Sequence, residues 1–572
     1  MLTIIAAFIG FLYANYDLRS FVSIDSREEM ETDSVIIPKG IFDSSSIDVV
    51  DRSFSLIGES ESKIIHEGMN SMFKAMNSTL KLSDVSIAFE SSVPFAKVDK
   101  SSELTLCNTI MFINSRSNVL FTSGGIVRLE NVSLNGGNEL KSLVGSSQEG
   151  GEIMAESSRF LNLRVQFGNP LLEDPFITAC NFVDCIFSNI TCCNGIEIKE
   201  SNPHTTYVSG CTFDRVEDAI YGGIVSGLFG IGDFRMTNCS VFKMTRATRQ
   251  TTRQIPKGGS NATIEEVFFK ECKAGGGAKD VMEGYGGAIC SRSDVTLYVR
   301  GCSFVGCTAN GQGGAVFAGN SGGAVEDVGS SSVTVKDSYF KDCSCGSYGG
   351  AVFIATSHKE VSFKRNAFHS CIAKTDGAAA YIHLKHEMGE FDSIRCYNCK
   401  ATDGRAAVFV HGADNTKLKF HDCLISGCVS KLQPVGVCFV FESAEGGKNT
   451  WSMKTSYFMD LTSSTSGATV YAVAAFHSKT VPKAGTGNEF EGTYAKDSTS
   501  SLAGYTVNGI SASVTFTNVN NLIAVGEDKR TDKATADPFL SDPGAGFLTL
   551  ITRKTAMFLT LVTAIISAMI II

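Results

Sequence analysis

Apolar and polar residues alternate along this chain with a period of two. Val333-Thr-Val335, Val361-Ser-Phe363 and Leu418-Lys-Phe420 are clear cases. That period marks strands, because successive strand side chains point to opposite faces. No stretch between such runs carries a capped helical pattern of useful length. The alternation predicts a chain of short strands and turns.

The runs recur in a fixed setting between about Asn261 and Phe441. An alternation is followed by Phe-x-x-Cys, then by a small step of the Gly-Gly-Ala type, then by another alternation. The clearest copy is Val295-Thr-Leu-Tyr-Val299, Cys302-Ser-Phe304-Val-Gly-Cys307, Gly313-Gly-Ala-Val-Phe317. Residues equivalent to Cys307 are Cys272, Cys343, Cys371, Cys399 and Cys428. Weaker copies are Phe160/Leu163, Phe182/Cys185, Phe213/Val216 and Phe242/Thr245 upstream, and Phe458/Leu461 and Phe490/Thr493 downstream. Marker spacings run from 22 to 36 residues, a period that means stacked units burying faces against their neighbours. Like strands then lie side by side, about 4.8 Å apart. The prediction is all-β: a single-stranded right-handed parallel β-helix over residues 34–525, with the marker cysteines in one interior file.

Ser34-Val-Ile-Ile-Pro38-Lys-Gly40, with Phe54-Ser-Leu-Ile-Gly58, reads as the opening coil. It resembles the first rung of pectin-lyase-like β-helix proteins. Rungs read as irregular up to about Asp174 and clean from Phe176 onward. The Gly-Gly steps at Gly222, Gly286, Gly313 and Gly349 decay to Gly377-Ala378, Ala406-Ala407 and Gly467-Ala468. Small residues there let one coil corner approach the next.

Composition refines the setting. The 572 residues include 56 Gly but only 10 Pro, which suits strands joined by many turns. A formal net charge of −9 argues against a nucleic-acid partner, which calls for a basic stripe. Residues 1–14 are a short apolar run that fits a secretory signal peptide. Residues 526–556 read as a polar stalk and spacer, and residues 557–572 as a hydrophobic tail. Sixteen residues span about 24 Å as a helix, short of the roughly 30 Å hydrocarbon core. Gly544-Ala545-Gly546 before a spacer and an apolar run matches a lipid-anchor signal, with Gly544 as the attachment candidate. A plain transmembrane helix is the alternative. Either places the solenoid at the cell surface, on the extracellular face of the plasma membrane, and makes the membrane a partner. The glycosylation candidates are the sequon residues Asn77, Asn131, Asn189, Asn238 and Asn261.

Candidate chemistry is sparse. In the cysteine file a thiol packs as a small hydrophobe, or neighbouring rungs pair as disulfides in an oxidising compartment. A single file of thiols does not supply a tetrahedral metal site. Nineteen cysteines is an odd count, so at least one is free or bonded between molecules. A 28-residue offset superposes His383 on His411 and His358 on His386, with Asp414 nearby; a solvated loop cluster is the bland reading. Asp376 aligns with Asp403, and Asp337 and Asp342 flank Phe340, but no equivalent basic column accompanies them. Paired carboxylates at a glycosidic bond are what a β-helix hydrolase needs, and all of these occupy turn positions where Asp is ordinary. No catalytic, cofactor or metal site is predicted.

With Gly-Gly-Ala-Val and Phe-x-x-Cys in place, roughly Phe176 to Tyr471 resembles the polymorphic outer-membrane protein family, autotransporter adhesins with Gly-Gly-Ala-Ile/Leu/Val and Phe-x-x-Asn repeats. Here Cys replaces Asn, and a single apolar tail replaces the translocator barrel. Sequons and an anchor-like tail suggest a eukaryotic, protist-type surface relative. The resemblance implies a non-enzymatic adhesin or surface-coat protein with cell-surface protein or glycan ligands. The rival reading is a surface-held polysaccharide lyase or glycoside hydrolase.

Overall fold

The computed structural model describes residues 16–17, 33–44, 46–59, 61–114, 116–136, 139–146, 151–165, 172–174, 177–191, 196–198, 204–217, 232–243, 245–247, 260–275, 284–291, 295–319, 332–356, 360–384, 388–412, 416–441, 450–465, 470–477, 489–491, 494–496, 500–507 and 515–517. Among these residues there are strands and turns and no helix, and hence none long and apolar enough to cross a membrane. Residues 1–14, 526–556 and 557–572, Gly544 among them, lie outside the described residues. The strands are paired in parallel, coil on coil, as a β-helix. The chain forms two compact units, Met1–Tyr207 with Ile224–Gly227, and Val208–Gly223 with Leu228–Ile572.

In the first unit each coil crosses three walls. One coil runs through Ser53–Gly58, Ser62–Gly68 and Phe73–Met76; the next repeats the path through Thr79–Ser83, Ser86–Ser91 and Ala96–Asp99. Register is unbroken from Ser53 through Thr79 and Glu103 to Ile126, and shifts only at Gly151/Glu152. These rungs are therefore regular where the sequence reads as irregular. They lack Phe-x-x-Cys and Gly-Gly, and their interior is instead filled by aliphatic columns such as Ile64, Ile87, Met111 and Leu134, all buried.

In the second unit a coil runs Val295–Arg300, Ser303–Val305, Thr308–Ala309 and Val316–Gly319. Each strand pairs with its counterpart in the next coil, at Ser332–Lys336, Tyr339–Lys341, Ser344–Cys345 and Val352–Thr356. Two bends separate the first three strands, each made by one left-handed residue. Asp337, Arg365, Ser393 and Asp422 hold φ of 48–57° at the first bend. Glu271, Asp342, Ser370 and Asn398 hold φ of 52–55° at the second. Asn, Asp and Ser suit this role because short polar side chains tolerate it. At the next turn Gly313 takes φ +66°, and a Cβ on Gly314 would overlap the Gly350 carbonyl oxygen one coil on.

Behind the second bend the Phe positions stack face to face. Phe269–Phe304, Phe304–Phe340 and Phe340–Phe368 have ring centroids 4.9, 4.7 and 4.8 Å apart. Two weak markers fall elsewhere. Phe160 stacks on Phe187, not Phe182. Phe458 is registered with Ala495, while Phe490 belongs to another wall, opposite Met453.

Candidate binding groove

Cys272, Cys307, Cys343, Cys371, Cys399 and Cys428 are all buried, each directly after the left-handed residue of the second bend. The Thr308 amide donates to the Cys272 carbonyl, and Ser344, Ile372, Lys400 and Val429 repeat that bond to the next four cysteines. They stand in one file. Among the described residues every cysteine is a free thiol. The thiols have hydrogen-bonding work: Cys343 Sγ donates toward the carbonyls of Phe304 and Lys341 at 3.6 and 3.5 Å, and Cys371 Sγ toward Phe340 and His369, both at 3.6 Å.

A second cysteine file, unnoticed in the sequence, lines the first bend of the second unit. Cys302 Sγ lies 3.4 and 3.3 Å from the carbonyls of Ile264 and Arg300, and Cys423 Sγ 3.3 Å from that of His421. Ser338, Asn366 and Ser456 hold the same place in other coils and donate to carbonyls there as well. Cys, Ser and Asn are thus interchangeable side-chain donors at this corner, where the carbonyls of Arg300, Lys336, His421 and Lys454 also accept a main-chain amide from the neighbouring coil. Burial pushes the Cys302 and Cys423 thiols up to about 12. Cys307, Cys343 and Cys371 are also raised well above the ordinary range by burial. Protonated, closed-in thiols are poor nucleophiles. Among the described residues no three ligating side chains converge as for a metal.

His383 and His411 are in register and stacked, ring centroids 4.3 Å apart. His358, His386 and Asp414 lie outside the described residues. The aligned acids differ from expectation. The Asp403 amide donates to the Lys374 carbonyl, whereas Asp376 Oδ1 accepts from the Arg405 amide at 2.7 Å, so the two carboxylates occupy different columns. Two of the acids have single basic partners: Lys431 Nζ is 3.1 Å from Asp403, and Arg365 holds Asp337 in a two-point pair at 2.5 and 2.9 Å. Burial raises the Asp376 carboxyl above its ordinary value, against the backbone bond and charge of Arg405.

Four sequon residues hold left-handed φ of 49–54°: Asn77, Asn131 and Asn238 at bends, and Asn189 within the strand Ile186–Thr191. Asn131 Nδ2 donates to Asn108 and Asn189 Nδ2 to Asn162, at 2.8 and 2.7 Å. Asn261 lies on the exposed side of a strand, its Nδ2 2.8 Å from Asp233.

A groove of about 420 Å³ opens on the outer face of the first unit. Its floor is the wall formed by Ser62–Gly68, Ser86–Ser91, Ile110–Ile113 and Ser133–Gly136. Alternation turns Ile64, Ile87, Met111 and Leu134 inward, and therefore presents Ile65, Ala88, Phe112 and Asn135 outward in one row. Phe112 is 49% exposed and Ile110 48%. Two positions along each strand, Glu67 stands directly opposite Glu90. Neither has a cationic partner among the described residues, and no basic residue lines the groove. Beneath it, His66 stacks on Phe89 at 5.7 Å. The imidazole is pinned between Ser44 and the Asn70 carbonyl, both 2.8 Å away. The floor is fixed, and Asn135 Oδ1 on its edge accepts from Asn162 Nδ2 at 3.1 Å. Sequence reading missed this site because Glu67 and Glu90 sit in rungs without the repeat markers.

No family model matches the chain, and no curated protein does. Among solved structures the chain is similar to the A-modules of two mannuronan C-5 epimerases of Azotobacter vinelandii. With the AlgE6 module it shares 9% identity over 86% of this chain and 92% of that one, at a TM-score of 0.15. With the AlgE4 module the identity is 8%, over 84% and 91%, at a TM-score of 0.14. Likenesses this distant carry no argument about activity, and the architecture rests on the strand pairing described above.

Proposed function

We propose that this chain is a binding protein whose strand-built faces engage a partner at a cell surface, as an adhesin or coat protein, held to the membrane through residues 557–572. The observation that carries the reading is the groove, where an exposed aromatic and two unpaired carboxylates meet on a wall whose main chain is fully occupied by its own ladder. Elsewhere two of the candidate acids, Asp337 and Asp403, are engaged by cations, which supports scaffolding over catalysis there. The likeness of the Gly-Gly-Ala and Phe-x-x-Cys repeats to those of surface adhesins supports the same reading.

The full chain, expressed in a secretory eukaryotic host, is expected at the surface of intact cells, with glycans on sequon asparagines. Release by phosphatidylinositol-specific phospholipase identifies a lipid anchor, and retention a protein span. Binding of the released or detergent-extracted chain to a glycan array or to cells tests the role itself; the absence of any ligand would remove it.

A second reading draws on one observation. Glu67 and Glu90 are opposite each other on neighbouring strands, whose main chains lie about 4.8 Å apart, and retaining glycoside hydrolases use two carboxyls held roughly 5–5.5 Å apart. Under that reading, oligosaccharides incubated with the chain release new reducing ends, and Glu67→Gln or Glu90→Gln abolishes the release.

A further inference from the structure

Like charges placed directly opposite on neighbouring strands destabilise a sheet. Glu67 and Glu90 are so placed, and among the described residues nothing positive offsets them. A local conflict of this kind, on an otherwise consistent wall, is the mark of a site kept for a ligand. The ligand must supply the missing positive charge. It must also cover Phe112 and its row-mates Ile65 and Ala88, and it meets the carboxamides of Asn114 and Asn135 at the rim. The volume of about 420 Å³ falls within the roughly 300–1,000 Å³ of small-ligand sites.

A peptide recognised through its backbone does not suit this place. The central strands Ser86–Ser91 and Ile110–Ile113 are each paired on both sides, so no strand edge is offered. Recognition must run through side chains. A pyranose offers one apolar face for an aromatic ring and hydroxyls for carboxamides, and an amino substituent offers the charge. We propose that the groove holds an amino sugar, its ring over Phe112 and its ammonium group between Glu67 and Glu90. An acidic sugar is disfavoured by the same two carboxylates. This inference deepens the binding role proposed above and rests on it, though not on where in the cell the protein works.

The test uses the full chain and the β-1,4-linked glucosamine disaccharide, with the N-acetylated disaccharide and a short oligolysine as comparators, by calorimetry at low salt. All three side chains project from the surface, so the variants are expected to fold; the melting temperature is measured alongside, and loss of the Glu67–Glu90 repulsion should raise it in the double variant. The glucosamine disaccharide is expected to bind at least about tenfold more tightly than its N-acetylated form, since a charge-assisted bond carries that much. The double substitution Glu67→Gln with Glu90→Gln, and Phe112→Ala alone, are each expected to lose about tenfold or more. Equal affinity for the acetylated sugar overturns the inference, as does unaltered binding by either variant. Binding of oligolysine but not of the amino sugar assigns the groove to a basic peptide and overturns it too. In those cases the chain still binds a partner; failure of every ligand on an array removes the broader reading as well.

Discussion

Phe304 and Phe340 stack with their planes 4° from parallel and their centroids 4.7 Å apart, one coil above the other. Both are fully buried, and Phe269 and Phe368 continue the pile on either side. Replacing Phe340 by Ala removes a ring from the middle of the pile. Core Phe→Ala changes cost about 3–5 kcal/mol, and in a solenoid the damage stays with the nearest coils. Hydrogen exchange should therefore quicken in Ser303–Val305, Tyr339–Lys341 and Ala367–His369, while the strands of the first unit keep their protection. Uniform loosening of the whole chain would contradict a stack of locally coupled coils.

The Gly-Gly step gives a sharper steric test. Gly314 has no room for a side chain, because the position of a Cβ is occupied by the Gly350 carbonyl oxygen. Gly314→Ala must push two coils apart or tilt a peptide that receives the Gly314-side ladder. A loss of about 2 kcal/mol or more is expected, in line with overpacking of a filled interior. Gly301→Ala is the control, since its added Cβ would make ordinary contacts with Glu266 at 3.4 Å and beyond; its cost is the left-handed φ of 61°, about 1–2 kcal/mol. Denaturant midpoints compare the two. A loss at Gly314 no greater than at Gly301 would mean that the coils have room for the added methyl, since Gly314 is not itself left-handed.

Arg365 and Asp337 form a two-point ion pair, yet their side chains are 50% and 26% exposed. Exposed pairs are worth little, about 0.2–1 kcal/mol by double-mutant cycles. Asp337→Asn, Arg365→Gln and the combined variant should give a coupling energy in that range, and smaller still at high salt. A coupling above about 2 kcal/mol would show that the pair helps to set the first bend rather than decorating it.

Part of this architecture is plain in the sequence, and the limit has a physical cause. Phe304 and Cys307 recur because each fills the same space in successive coils, so matching side chains reveal the file directly. Phe182-Val-Asp-Cys185 satisfies the same motif but turns a different bend, with Asp184 left-handed at φ 51°. Both bends place an inward residue after a left-handed one, so the motif alone does not distinguish them. Asp376 and Asp403 look equivalent by spacing, but the Asp403 amide donates to the Lys374 carbonyl, which puts the two carboxylates out of register. The groove was not legible at all. Glu67 and Glu90 lie 23 residues apart in rungs marked only by alternation, and their opposition emerges from register. Charge, unlike packing, leaves no repeat to read.

The buried thiols predict how stability depends on pH. Desolvation raises Cys302 and Cys423 from the ordinary value of 9.0 to about 12. A raised native value means that the folded chain holds the proton more firmly than the unfolded chain. The contribution is complete below pH 9 and is lost as pH climbs from 9 toward 12, by up to about 1.4 kcal/mol per unit for each thiol. Urea midpoints measured between pH 8 and 10.5 should therefore fall. Lysine and tyrosine also titrate near the upper end of this range, so the comparison is with Cys302→Ser and Cys423→Ser combined. Serine fills the same file at Ser338 and Ser456 and donates to the same corner carbonyls, without an ionisation in this range. The double variant should show a shallower decline with little loss at pH 7. An identical slope would place those sulfurs in contact with water and undo the closed interior file.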